Sequence, residues 1–197
     1  MSRQTDIADA AIATLAHGGM RGLTHRAVDR AAGLPEGSAC YYFRTRRALL
    51  QATVERLAEL DIAEVPALPQ HDLGAFAQAT AELLQRWLTT GRERQLARYE
   101  LALEATRRPE LRTVLAAVGA GLRAMTAERF AAAGVTEPQD RADDFAAFLD
   151  GLIFGQIAGA GTRQLTPAGL RATIGVLLTA LTGRAGAPEP TAPLSSA

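Results

Sequence analysis

Lysine and asparagine are absent from the chain, and its 21 basic residues are all arginine. Cysteine occurs once, as Cys40, which excludes an internal disulfide and a cysteine-based zinc cluster. The three histidines, His17, His25 and His71, stand apart without acidic neighbours at ligand spacing, so no metal site is expected. Long apolar runs are missing too. The best, "FAAFLDGLIFGQIAGAG" at 145–161, carries Asp150 and Gln156 and falls short of the ~18–20 residues a span needs, which makes it a buried helix. No basic stretch followed by an apolar core lies near Met1, so no signal peptide is expected, and a lone thiol suits a reducing cytoplasm. No Ser-His-Asp, Cys-His or phosphate-loop pattern is present. "GLPEGS" at 33–38 lacks the lysine and the preceding strand that a phosphate loop requires. Neither catalysis nor a cofactor is expected.

What remains is an ordinary globular composition, 48% hydrophobic and 21% charged over 197 residues, enough for one large or two small domains with a real core. The zero net charge hides an asymmetry. Residues 1–50 hold seven arginines against four acids (+3), and the other 147 hold 14 against 17 (−3). A basic end on an acidic body suits an anion-binding module carried by a larger one.

Helical periodicity runs throughout, with no alternating strand pattern, so the fold class is all-α with about nine helices. Ile7, Ala10, Ala11 and Leu15 mark a first helix that stops at Gly18-Gly19. Thr24 caps a second, with Ala27, Val28 and Ala31 facing inward and Gly33 closing it. Pro35 suits the first turn of a third helix running to Tyr42, and Thr45 caps a fourth carrying Leu49, Leu50, Val54 and Leu57. Three short helices with Gly33 at the second turn make a helix-turn-helix whose third helix is free to enter a major groove. Gly37, Ser38 and Ala39 are small enough to approach base edges. Tyr41 and Tyr42 offer rings and hydroxyls to the sugar-phosphate chain, and Arg44, Arg46 and Arg47 follow at a helix start that itself favours phosphate. Phe43 is expected in the core and Cys40 as a small packing residue.

These residues carry a resemblance. "AAIATLAHGGMRGLTHRAVDRAAGLPEGSACYYFRTRRALL" resembles the DNA-binding region of the TetR family of bacterial transcriptional repressors, over roughly residues 3–62. The register matches at Leu23-Thr24, Ala32-Gly33-Leu34, Gly37-Ser38, Tyr41-Tyr42-Phe43 and Leu49-Leu50. Ala27-Val28, Pro35, Cys40 and Arg46 depart from the usual pattern. In this reading Thr24, Arg26, Tyr41, Tyr42 and Arg46 position the DNA backbone, while Gly37, Ser38, His25 and Glu36 approach the bases. Glu36 could accept from a cytosine amino group or simply sit at a helix N-terminus.

Five more helices are expected beyond a Pro-rich break, at about 73–90, 93–107, 109–133, 139–160 and 166–182. The domain division is 3–62, 63–183 and a disordered tail at 184–197. Ala147, Gly151, Gly155 and Gly159 form a smooth four-residue stripe that suits close helix crossing, either within one subunit or between two. The resemblance implies the second: a homodimer through helices 139–160 and 166–182, bound to a pseudo-palindromic operator. It also implies a small-molecule effector that releases the repressor. Candidate ligand residues are Trp87, Arg98, Tyr99, Glu100, Glu104, Phe130, Phe148, Asp150, Phe154 and Gln156, a mix suited to an apolar or amphipathic ligand with a cationic or hydrogen-bonding handle.

Overall fold

Ser2 opens the first helix, its hydroxyl accepting the Thr5 N–H at 3.2 Å, and Ile7, Ala11 and Leu15 then fall on one fully buried stripe. The computed structural model describes residues 2–66, 72–159 and 165–183. Among them it forms α1 (Arg3–Gly22), α2 (His25–Ala31), α3 (Ser38–Tyr42), α4 (Arg46–Ala63), α5 (Leu73–Leu88), α6 (Arg92–Ala105), α7 (Pro109–Ala132), α8 (Pro138–Ile157) and α9 (Pro167–Thr182). No strand occurs among the described residues, so the chain is all-α. Residue 160 of the expected helix 139–160, His71 and the tail at 184–197 lie outside them.

The break expected at Gly18-Gly19 is a kink rather than an end. Gly19 leaves helical geometry (φ 59°, ψ −169°) and one further turn reaches Gly22. A side chain at Gly19 would be strained at that φ and would meet the Glu100 carboxylate at 3.2 Å. Glu100 instead accepts the Met20 N–H at 3.2 Å, which ties the kink to α6.

Thr24 caps α2 as expected, accepting the Ala27 N–H at 3.1 Å. The inner face differs: Val28 and Asp29 are buried, whereas Ala31 is exposed. α3 starts later than Pro35. Gly37 takes up φ 95°, and the Pro35 carbonyl accepts both the Ser38 N–H (3.1 Å) and its hydroxyl (2.6 Å), so the chain turns once more before the helix begins. Cys40 is exposed, not packed, because α3 turns Ala39 inward instead. Phe43 packs against the core as expected. Thr45 caps α4, whose Leu49, Leu50, Val54 and Leu57 are buried.

Two apolar clusters hold the molecule together. The first gathers Ile7, Leu15, Val28, Ala39, Leu49 and Val54 from the first four helices with Ala97, Leu101 and Ala105 of α6 and Leu111 of α7. The second joins Leu84 and Trp87 of α5, Phe130 of α7, Phe145 and Ile153 of α8, and Leu170 and Ile174 of α9. α6 and α7 serve both, and α1 crosses α6 extensively. On α8, a side chain added at Gly151 would meet nothing within 4 Å, so among the described residues no neighbour packs on the smooth stripe there. Phe148, Phe154 and Val176 are likewise exposed on α8 and α9.

Candidate nucleic-acid interface and ligand cavity

The short α3 is held from behind. Asp29, 2% exposed, directs Oδ2 to the Gly37 N–H (2.8 Å) and Oδ1 to the Ala39 N–H (2.6 Å), satisfying donors that a five-residue helix leaves free at its start. From the other end His25 Nε2 donates to the Phe43 carbonyl at 2.6 Å; a carbonyl can only accept, which places the proton on that nitrogen. Sequence reasoning overlooked Asp29, whose side chain contacts residues eight and ten positions away.

With α3 so braced, Tyr41 stands 78% exposed and Tyr42 39%, their rings edge-on at 5.1 Å. Gly37 is open, with nothing within 4 Å of where a side chain would begin. Thr24, Arg26 and Glu36 are exposed, and Ser38 half-buried. Arg26 and Glu36 are paired with each other, so the carboxylate already has a cationic partner. Arg46 is half-buried and gives both terminal nitrogens to backbone, Nη1 to Leu23 and Nη2 to Met20, fastening α4 to the turn between α1 and α2. Arg44 and Arg47 beside it are exposed. The nine residues expected to meet DNA thus lie around one short helix, six turned mainly to solvent and His25, Ser38 and Arg46 partly occupied in bonds within the protein.

A second feature lies between α5, α6, α7 and α8: a cavity of about 190 Å³, against the ~10–15 Å³ that one water needs on the same measure. Of the ten ligand candidates it gathers Trp87, Arg98 and Asp150. The other seven lie elsewhere. Phe130 is fully buried core, and Phe148 and Phe154 face outward. Tyr99 donates to the Asp150 carbonyl at 3.1 Å and touches the Phe154 ring. Glu100 holds Met20, Glu104 pairs with Arg107 and Arg108, and Gln156 Oε1 accepts the Leu165 N–H at 3.2 Å. The wall contains Phe76, Phe145, Arg123 and Arg129 besides, none of which periodicity singles out from other core or surface positions.

Charges at the cavity edge are paired across helices. Asp61, 1% exposed in the last turn of α4, accepts from Arg98 Nη2, and the Arg98 guanidinium lies 5.4 Å over the Trp87 ring. Glu64, just past the end of α4, accepts from Trp87 Nε1 at 2.8 Å and from Arg94. Arg123 pairs with Asp143 at 3.1 Å, and Arg129 lies 5.3 Å over Phe76. Burial pulls the Arg98 pKa down, with Asp150 and Tyr99 opposing. Burial pushes the Asp150 carboxyl up, with Arg98 and Arg123 opposing. Tyr99 is pushed up to about 12, by burial first and by Asp150 second.

A phenol whose folded pKa exceeds its unfolded value gives stability that is whole below the unfolded pKa and lost as pH rises through the folded one. Tyr99 should therefore contribute a loss of stability between about pH 10 and 12. Urea midpoints measured across that window should fall less steeply in Tyr99→Phe than in the parent protein; identical slopes would refute the assignment.

Among the described residues no three His, Cys, Asp or Glu side chains gather as a metal cluster, and no helix is long and apolar enough to cross a membrane.

The comparisons with known proteins follow the same division. The family model for bacterial regulatory proteins of the tetR family matches residues 7–53, and that for the tetracyclin repressor-like C-terminal domain matches residues 71–184. No curated protein matches the chain. A TetR-family member from Streptomyces coelicolor A3 is 30% identical, with a TM-score of 0.71 over 90% of this chain and 98% of that one. The multidrug-binding protein EbrR complexed with malachite green is 32% identical, with a TM-score of 0.69 over 92% and 99%. A transcriptional regulator from Rhodococcus sp. Rha1, at 19% identity, shares the fold with a TM-score of 0.81 over 95% and 100%.

Proposed function

Because this chain belongs to the TetR family of bacterial regulatory proteins, we propose that it is a repressor, bound to its operator as a homodimer and released by a small molecule in the cavity. The observation that carries the DNA-binding half is α3: a short helix clamped by Asp29 and His25 that holds Tyr41 almost fully out in solvent. A large ring kept in water by a braced helix has no packing role to explain it. Thr24, His25, Arg26, Glu36, Gly37, Ser38, Tyr41, Tyr42 and Arg46 form the proposed face, borne by a DNA-binding domain at 3–62, with the effector and dimerisation domain at 63–183. EbrR, described as multidrug-binding, supports reading the cavity as an effector site.

The test is selection of bound duplex fragments from the source genome, followed by titration of the best fragment. Tyr41→Ala should leave stability within about 0.5 kcal/mol, since an exposed ring contributes little to the fold. It should weaken binding to every duplex. Unaltered affinity in Tyr41→Ala would remove α3 from the proposed interface.

A single short helix touches too few base pairs for tight binding, and a two-fold dimer reads two half-sites about one helical turn or more apart. The open Gly151 stripe and the exposed Phe148, Phe154 and Val176 support α8 and α9 as the dimer face. Gly151→Glu puts a charge on this face at a position where a Cβ meets nothing within 4 Å among the described residues, and it replaces a poor helix former. The variant should sediment as a folded monomer and lose operator affinity. A dimer of unchanged strength would place the interface elsewhere.

A further inference from the structure

We propose that the cavity takes a small amphipathic anion, an apolar body bearing one carboxylate, which competes with Asp61 for the guanidinium of Arg98 and so unlatches the end of α4. The inference rests on reading the cavity as an effector site, and it names the ligand's charge and the contact through which it acts.

The sign of the charge comes first. Three arginines, Arg98, Arg123 and Arg129, line the cavity against one acid, Asp150. Asp150 lies in the field of both Arg98 and Arg123, and its burial disfavours the ionised form. Arg98 and Arg123 have carboxylate partners outside the wall, Asp61 and Asp143, so the anion's advantage lies in exchanging such a partner rather than in filling an uncompensated positive site. Of the cationic or hydrogen-bonding handle expected from the sequence, this leaves out the cationic one, because Arg123 and Arg129 join the wall. The rest of the wall is apolar or aromatic, as with Phe76, Trp87 and Phe145, and suits a hydrocarbon body.

The Arg98–Asp61 pair is incomplete. Only Nη2 reaches Asp61, through Oδ2, while Nε of Arg98 and Oδ1 of Asp61 are both buried without a partner. A guanidinium fork can make two parallel bonds to one carboxylate. Nε has no surface open to the cavity, so a ligand carboxylate reaches the fork only as the Asp61 contact opens; making both bonds, it then gains over a partner that makes one. Asp61 sits in the last turn of an 18-residue helix, α4, whose other end is fastened by Arg46 beside α3. At 1.5 Å per residue, that helix carries a displacement at the cavity over ~27 Å to the proposed DNA face.

Octanoate and octylammonium share a chain and differ in sign. Trp87, the chain's one tryptophan, lines the cavity and reports binding by its emission, with calorimetry for the constants. Octanoate should bind the full-length protein at least about tenfold more tightly than octylammonium, the scale of one charge-assisted contact. Asp61→Asn weakens the competitor and should tighten octanoate binding. The double variant Asp61→Asn/Arg98→Gln, which removes both charges and so leaves neither buried alone, should narrow the preference, since Arg123 and Arg129 remain in the wall. Equal or reversed preference, no binding of either probe, or weaker octanoate binding in Asp61→Asn would overturn the proposal. Octanoate should also lower affinity for the selected duplex; binding without release would overturn the unlatching. A protein that binds no duplex at all would refute the regulator reading instead, and the probe titrations would still decide the cavity's charge preference.

Discussion

Asp29→Ala is expected to lower stability by about 3 kcal/mol, since hydrogen bonds to a charged group contribute roughly 1.5–3 kcal/mol each and a buried N–H left bare costs more. In a chain of this length that is roughly 6–12 °C in Tm. The carboxylate accepts the N–H groups of Gly37 and Ala39, and Ala39 is fully buried, so no water replaces the lost partner. A five-residue helix cannot hold itself together, because nucleation is unfavourable and few internal bonds repay it. The variant should therefore lose duplex binding even where the rest of the fold survives, and Asp29→Asn, with one acceptor oxygen in place of two, should fall between. Urea midpoints and duplex titration at low salt measure the two effects. If Asp29→Ala matches the parent in both, α3 is held by something other than this clamp.

Arg98→Met should be the second large loss, about 3–5 kcal/mol, the scale for removing one partner of a buried ion pair. Asp61 is 1% exposed, so its charge would remain in the interior with no cation beside it. Asp61→Asn/Arg98→Met removes the stranded charge and should recover most of that loss. The difference between the single and double variants isolates the pair from the packing of the arginine stem over Trp87. A single variant as stable as the parent would mean that Asp61 is hydrated and that the latch has no strength.

Local signals in the chain account for most of the helices. Thr24, Thr45 and Thr166 cap where a threonine precedes an apolar periodic run, and Pro109 and Pro167 stand in first turns. α3 began late because Pro35 fits a first helical turn and a tight turn equally well, and only the left-handed Gly37 separates the two. The exposed tyrosines were legible as aromatics without an apolar stripe to join. Asp29 was not, because a carboxylate in a short helix looks like a surface charge until its contacts across the turn are seen. Asp61–Arg98 and Glu64–Arg94 join residues 37 and 30 positions apart, and no helical period relates them. For the cavity the same holds: Trp87, Arg98 and Asp150 stood out as bulky or charged groups in apolar helices. Arg123 and Arg129 read as ordinary solvated positions until α7 was laid against α5 and α8.

The first apolar cluster includes Ala97, Leu101, Ala105 and Leu111, so the amino-terminal head has one wall built from the body behind it. Truncating the chain after Pro66 would strip that wall and open the part of the cluster that α1 and α4 bury against α6 and α7, so the excised head would not fold as an autonomous unit. Swapping heads between relatives to retarget an operator therefore means transplanting the matching faces of α6 and α7 as well. A graft cut at the linker alone would join two surfaces that never evolved to fit.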